Sequence, residues 1–232
     1  MDAALIERLT REMEAQFARP GEPAGFPKFH DISVDRYITD EFYELERKHL
    51  WSKVWVMAGR AEDIPNPGDY FTFGDLKVPI VVVRGNDMKV RAFYNTCQHR
   101  GAPVVRDKVG CANQLRCQYH GWVYSIDNGN LVSIPDERDF IDFCREDKSL
   151  SAISCDVWQG WVFVNQDPNA ASLQEWFGVP FAQMEELAGE ELRAVGPRSM
   201  TIPCNWKVTA EAFFEVYHFK FIHDRGGWSA LD

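Results

Sequence analysis

The chain has 232 residues, 45% of them apolar and 26% charged, and a net charge of −10. That length can bury a stable core without disulfides, and the balance is that of an ordinary globular protein. The negative charge argues against an extended nucleic-acid footprint, because phosphates would be repelled.

The first residues, MDAALIERLTREMEAQF, carry acids at Asp2, Glu7, Glu12 and Glu14 and no unbroken apolar run, so they do not read as a secretory signal. Leu5, Ile6, Leu9, Met13 and Phe17 share one face of a helix over 3–17. A Pro/Gly-rich linker follows at 19–27. Thr39 is a suitable N-cap for a second helix running to about Ser52, with Asp40 and Glu41 well placed in its first turn. The chain then turns to β. Short apolar and aromatic runs recur at 54–58, 70–74, 78–83 and 90–95, separated by turn residues. The run VPIVVV at 78–83 is too short to span a bilayer. WVYSIDNGNLVSI (122–134) predicts a hairpin, with Asn128-Gly129 suited to a type I′ turn. A further strand region lies at 157–166. Many short strands with regular turns predict a small sandwich or barrel. Beyond Asp167-Pro168 the pattern changes. Ser172 and Glu175 fit a capping box, residues 184–192 are polar surface, 198–208 resemble a strand, and 209–224 read as a largely buried, aromatic-rich helix. The protein is expected to be cytoplasmic, with no membrane or nucleic-acid partner. Its six cysteines are then available for metal ligation or burial.

Four residues stand out: Cys97 and His99 in CQHRGAP, then Cys117 and His120 in CQYHGW. Each loop offers one thiolate and one imidazole. Two Cys on one iron and two His on the other is the division a Rieske 2Fe-2S cluster requires. Gly101 and Gly121 allow sharp turns that bring amides toward the cluster sulfurs, and Trp122 could shield one side from water. Zinc is the rival occupant, although common Cys2His2 fingers pair Cys with Cys and His with His along the chain. Of the remaining cysteines, which read as buried free thiols, Cys111 lies between the two loops and is the one expected near the cluster.

The stretch CQHRGAP…CQYHGWVY resembles the Rieske motif of ring-hydroxylating oxygenase α subunits. Respiratory Rieske proteins carry two further cysteines that form a disulfide beside the cluster; here those positions hold Ala102 and Tyr119. The resemblance is therefore to the oxygenase or ferredoxin class, with a potential near the low end of the Rieske range, about −150 mV. NWKVTAEAFFEVYHFKFIH (205–223) resembles the mononuclear-iron segment of the same family. The resemblance makes His218 and His223 ligands of an Fe(II) that activates O2, in a two-His-one-carboxylate site. It makes Glu215 the acid that hydrogen-bonds His218 and reaches His120 of a neighbouring subunit. Asn205 is a further candidate for approach to the iron. On a regular helix, residues five apart lie about 140° apart around the axis, so a π-like widening or a break between His218 and His223 is expected.

The implied organisation is α+β. An N-terminal helix and linker (1–38) precede a mostly antiparallel β Rieske domain (39–168), and the start of a helix-grip catalytic domain follows (169–232). The family's third iron ligand is an acid supplied by a later helix, so the chain is expected to be the N-terminal half of an α subunit. It should bind the cluster but catalyse little oxygenation as it stands. The implied reaction is hydroxylation of an aromatic or related substrate. Electrons would come from NAD(P)H through a flavin reductase, a ferredoxin or both, in a homo-oligomer (a trimer in the family) with or without a β subunit. The alternative is an electron-transfer protein whose only working centre is the Rieske cluster.

Overall fold

The computed structural model describes residues 3–21, 25, 30–196, 199–215 and 218–223. Residues 1–36 and 37–232 are separate compact units. In the first, α1 (Ala3–Phe17) forms where its periodicity places it. None of its residues is buried, so its apolar stripe of Ile6, Leu9, Met13 and Phe17 faces outward. One turn, α2 (Asp35–Ile38), follows.

The second unit opens with α3 (Asp40–Glu46). The hydroxyl of Thr39 accepts from the Phe42 amide as an N-cap, as the sequence predicts. The helix does not continue regularly to Ser52; residues Arg47–Trp51 form a π-helical turn. Ten strands follow: β1 (Val56–Arg60), β2 (Asp69–Phe73), β3 (Ile80–Arg84), β4 (Val90–Tyr94), β5 (Val109–Cys111), β6 (Gln114–Arg116), β7 (Val123–Ser125), β8 (Leu131–Ser133), β9 (Ala152–Trp158) and β10 (Trp161–Asn165). All the pairings are antiparallel. Seven strands make one sheet in the order β1-β10-β9-β4-β3-β2-β5, and β6-β7-β8 make a second, smaller one.

Strand β3 explains how the layers are filled. Its unbroken run of branched residues is buried on both faces. Val81 and Val83 join the core that also holds Cys97, Cys117, Trp122 and Tyr124. Ile80 and Val82 point the other way, into a core with Ile64, Phe71, Phe73 and Val162. This alternation is the period of two along a strand. The first core lies between the large sheet and the small one, and the loops bearing the cysteines close it.

The two hairpin turns reverse expectation. β7 and β8 pair as predicted, but a loop over 126–130 joins them, and only Gly129 in it has positive φ. A type I′ turn needs two such residues. The two-residue turn is Gln159-Gly160, where φ is 53° and 74°, and it links β9 to β10. Gly129 is still obligatory. A Cβ there would lie 2.6 Å from the Phe93 ring, since the loop folds down onto β4.

Ser172 and Glu175 form the predicted capping box at the start of α4 (Leu173–Phe177), which α5 (Val179–Met184) follows. The polar segment 184–192 forms two 3-10 turns. Arg60 donates to the carbonyls of Gly189 (3.0 Å) and Leu192 (2.8 Å) and so ties that segment to β1. Two expectations fail. The described part of 198–208 contains no strand, and α6 (Trp206–Phe214) starts inside it, capped by Asn205, whose Oδ1 accepts from the Lys207 amide at 3.0 Å. Nor is 209–224 one buried helix. Glu215 is extended (φ −127°, ψ 154°) and ends α6, and a separate turn, α7 (Phe219–Ile222), follows. Phe213 and Phe214 are more than four-fifths exposed, because no described residue covers that face.

The start of α6 is held tightly to α3. Lys207 is buried and donates to Glu46 Oε1 at 2.5 Å, and Trp206 Nε1 donates to Oε2 at 3.4 Å. Lys207→Met would leave Glu46 as a buried, unpaired charge and cost about 3–5 kcal/mol, whereas replacing both partners by methionine would recover most of that loss. Urea titration of the single and double variants measures both values.

Candidate functional site

The two cysteine loops are backbone copies of each other. In the first, the Cys97 amide donates to the Ala102 carbonyl at 2.8 Å and the Gly101 amide to the Cys97 carbonyl at 2.9 Å. In the second, the Cys117 amide donates to the Trp122 carbonyl at 2.8 Å and the Gly121 amide to the Cys117 carbonyl at 2.9 Å. Gly101 and Gly121 have φ of 72° and 73°, the left-handed conformation that closes each loop at little cost. The Cys-to-Gly spacing is therefore the invariant of the pair, and the histidine sits one residue later in the second loop.

This arrangement brings all four predicted residues together. Cys97 and Cys117 are 3% and 1% exposed, and their thiols are neighbours. The rings of His99 and His120 lie 4.6 Å apart. Among the described residues no three His, Cys, Asp or Glu side chains converge on a single metal ion. The donors are arranged as a thiol pair and an imidazole pair, which suits a two-iron cluster better than one zinc.

The electrostatics suit a cationic occupant. Burial pushes the Cys97 thiol up, and the adjacent Cys117 adds to this, while the Tyr124 hydroxyl and the His99 amide oppose it. Two adjacent buried thiolates need a positive charge between them, which bound iron would supply. Burial, then His120 and Arg100, push His99 down and keep its imidazole neutral, which is the ligating form. His99 Nδ1 is buried and has no hydrogen-bond partner. A buried polar atom left unpaired is costly, and an iron on that nitrogen would satisfy it. By these tests the residues fit a 2Fe-2S cluster.

Three supports surround the loops. Tyr124 is fully buried. Its hydroxyl lies 3.2 Å from Cys97 Sγ and accepts from the Gln98 amide at 3.1 Å. Burial and then Cys97 push its pKa well up, so it stays protonated and able to donate to sulfur. Trp122 stacks on His99 with ring centroids 4.9 Å apart and planes 8° apart, a more specific contact than a general shield. Asn95, buried at the end of β4, is the third. Its Oδ1 accepts from the Val104 (2.9 Å) and Val105 (3.0 Å) amides, and its Nδ2 donates to the Val105 carbonyl at 2.9 Å. Sequence reasoning passed over Asn95; a polar residue straight after a buried strand and two before Cys97 was the available signal. Cys111 is not among the residues of the buried core that holds Cys97 and Cys117. It is exposed on β5, with its thiol toward the Pro67 carbonyl.

The second group lies at the α6–α7 break. Glu215 binds His218 twice, through the ring Nδ1 and through the backbone amide (3.2 Å to Oε2). His218 caps the start of α7 and His223 its end, with their rings 5.4 Å apart. The discontinuity expected between the histidines thus lies before His218. A single helical turn separates the two rings, and His223 has already left helical geometry (φ −104°, ψ 8°). Asn205 does not reach toward this pair. Its oxygen caps α6 and its Nδ2 donates to the Tyr37 carbonyl at 3.0 Å.

Comparison with known proteins gives matches over most of the chain. The Rieske 2Fe-2S domain family matches residues 54–153, and the catalytic domain of the ring-hydroxylating α subunit matches 189–230. The chain carries a Rieske 2Fe-2S domain and part of a ring-hydroxylating α-subunit catalytic domain. It is 34% identical over 212 residues to the α subunit of 2-aminobenzenesulfonate 2,3-dioxygenase from an Alcaligenes species, covering 90% of this chain and 53% of that one. It is 35% identical over 217 residues to the α subunit of benzene 1,2-dioxygenase from Pseudomonas putida, covering 90% and 46%. A solved quaternary ammonium Rieske monooxygenase, described as oxidising carnitine in gut microbiota with inter-subunit electron transfer, superposes with a TM-score of 0.75 at 27% identity, covering 81% and 51%. The chain spans about half the length of the curated relatives it matches.

Asn95→Ala would strand the Val104 and Val105 amides in the core at a cost of about 2–6 kcal/mol, from 1–3 kcal/mol per unsatisfied buried group. The expected result is a lower denaturation midpoint with accelerated hydrogen exchange at those two amides. Unchanged exchange there would refute the role given to Asn95.

Proposed function

We propose that Cys97 and Cys117 ligate one iron of a Rieske cluster and His99 and His120 the other, and that His218 and His223 hold a mononuclear Fe(II). Bound there, the cluster supplies one-electron transfer and the ferrous ion supplies the site of O2 activation. The observation that carries the reading is the pair of matching loops, which hold a pair of buried thiols and a pair of neighbouring imidazoles, with His99 Nδ1 left unsatisfied. Residues 39–168 serve as the electron-transfer domain and 169–232 open the catalytic one.

The roles of the surrounding residues follow from their contacts. Tyr124 donates to the Cys97 sulfur, Trp122 fixes the His99 ring plane, and Asn95 anchors the first loop. Glu215 orients His218, and by the resemblance its carboxylate, about half exposed, reaches His120 of a neighbouring subunit in a homo-oligomer, a trimer in the family. Such an arrangement is supported by the inter-subunit transfer ascribed to the monooxygenase relative. The whole protein hydroxylates an aromatic or related substrate in the cytoplasm. An aromatic substrate is favoured because relatives at 34–35% identity are named for aromatic compounds, against 31% for a carnitine monooxygenase oxygenase subunit from Escherichia coli. Electrons come from a flavin reductase, a ferredoxin or both, in an assembly with or without a β subunit. No described helix is long and apolar enough to cross a membrane.

Anaerobic reconstitution with iron and sulfide tests the ligand assignment. Two irons and two sulfides per chain with a Rieske-type EPR signal after reduction are expected, with a third iron lost in His218→Ala. His99→Ala or His120→Ala should abolish the signal. A chain that takes up zinc alone would sink the proposal. In the reconstituted protein, Tyr124→Phe removes a hydrogen bond that favours the more negative, reduced state. At about 1 kcal/mol for that bond, the reduction potential should fall by about 40 mV, measured by spectroelectrochemical titration.

A further inference from the structure

The two imidazoles have different surroundings. His120 is exposed, with Tyr119 against it at 3.9 Å. His99 is half-buried, and behind its stacked partner Trp122 stand two more rings: Phe143 at 5.6 Å and Phe140 at 6.2 Å, themselves 5.5 Å apart. Phe140 is 37% exposed, and the next residue, Ile141, is 87% exposed. A continuous series of packed rings therefore runs from His99 to solvent and ends at an apolar tip.

We propose that this tip, within 136–148, is the docking face for the protein that delivers electrons to the cluster, and that Trp122 and Phe140 couple that face electronically to His99. The inference rests on the ligand assignment above. A centre that receives electrons from one protein and passes them to a neighbouring subunit needs two ports. The His120 side is the port that Glu215 of a neighbour would occupy. The His99 side is backed by rings instead, and packed rings transmit electronic coupling far better than a water-filled gap. The step moves a single electron from a reduced one-electron carrier to the iron–sulfur site, with no bond made or broken.

The surface around the tip indicates the partner's chemistry. Asp136, Asp139, Asp142 and Asp147 are all exposed around it. Of the three cations in 136–148, Arg145 is held by Glu137, Arg138 faces Asp139 at 3.7 Å, and Lys148 is partly buried, against six acids in the same segment. The result is an apolar centre in an acidic collar, the layout of a protein–protein contact whose charges steer encounter. Asp136 and Asp142 adopt left-handed backbone (φ 51° and 55°), turning the chain on either side of Phe140-Ile141 and holding the tip outward. The fitting partner is a carrier protein whose redox centre opens through an apolar edge inside a basic collar.

Ferricytochrome c, a basic one-electron carrier, is a suitable probe, because electron flow out of the reduced cluster uses the same face. The reconstituted chain is reduced anaerobically and mixed with ferricytochrome c, with a small neutral quinone as control oxidant. The rate with cytochrome should fall as salt rises. The double variant D139N/D142N should be about 5–10-fold slower at low salt and match the parent at high salt, as steering by charge requires. Ile141→Ser should also slow it. Phe140→Leu should lower the limiting rate at saturating cytochrome while leaving its salt dependence unchanged. The quinone rate should stay constant in all of them. Cytochrome rates that are independent of salt and unaltered in these variants, or that respond instead to Tyr119→Ser beside His120, would overturn the docking assignment. A chain that never acquires the Rieske spectrum would instead overturn the ligand assignment.

Discussion

The architecture depends on one constraint: two thiols and two imidazoles must be held side by side at loop tips, partly buried, without their own backbones going unsatisfied. The matching loops meet it. Each closes on itself through two amide–carbonyl bonds and a left-handed glycine, so the backbone is paired before any metal is considered. The side chains are left with unmet needs: crowded thiols and an unpartnered ring nitrogen. Those needs are what an iron–sulfur cluster answers. Strand β3, buried on both faces, forms the wall against which the first loop, Tyr124 and Trp122 pack. Asn95 ties the first loop to the end of the neighbouring strand β4.

The four donors were legible because ligand chemistry constrains residue type and spacing together. Their positional equivalence was not. Cys-x-His and Cys-x-x-His look like unequal loops, and only the backbone shows that Cys and Gly are in register while the histidine slides by one residue. Hairpin turns were misread for a related reason. Asn-Gly carries a strong local preference for a type I′ turn, but Gly129 must pass close to the Phe93 ring, and tertiary contact set the loop length. Gln159-Gly160, the weaker local signal, forms the tight turn between two well-paired strands.

The region after residue 198 was misread more seriously. Alternating apolar residues suggested a strand, and the aromatic content of 209–224 suggested burial. Composition cannot distinguish a face covered by its own fold from one left open, and here Phe213, Phe214 and Phe221 are open. The break at Glu215 follows from its side chain binding both the backbone and the ring of His218, which competes with continuing the helix.

Asn-Trp-Lys at 205–207 shows why that segment is placed so firmly despite its open aromatic face. Each residue is anchored differently. Asn205 caps α6 and holds the Tyr37 carbonyl, Trp206 packs edge-to-face with Trp51 of the π-helical turn (ring centroids 4.9 Å apart), and Lys207 pairs with Glu46. The Lys207 ammonium also sits within 6 Å of the rings of Tyr37, Phe42 and Trp206, an environment that favours a cation. A buried ion pair is a poor source of net stability, because desolvating two charges offsets most of their attraction. Its value here is directional. Only one placement of α6 satisfies the cap, the ring edge and the ion pair together, and that placement fixes where the chain enters the Glu215–His223 turn. The point where the chain approaches the two histidines is thus set from α3, a part of the fold that contributes no donor to either site.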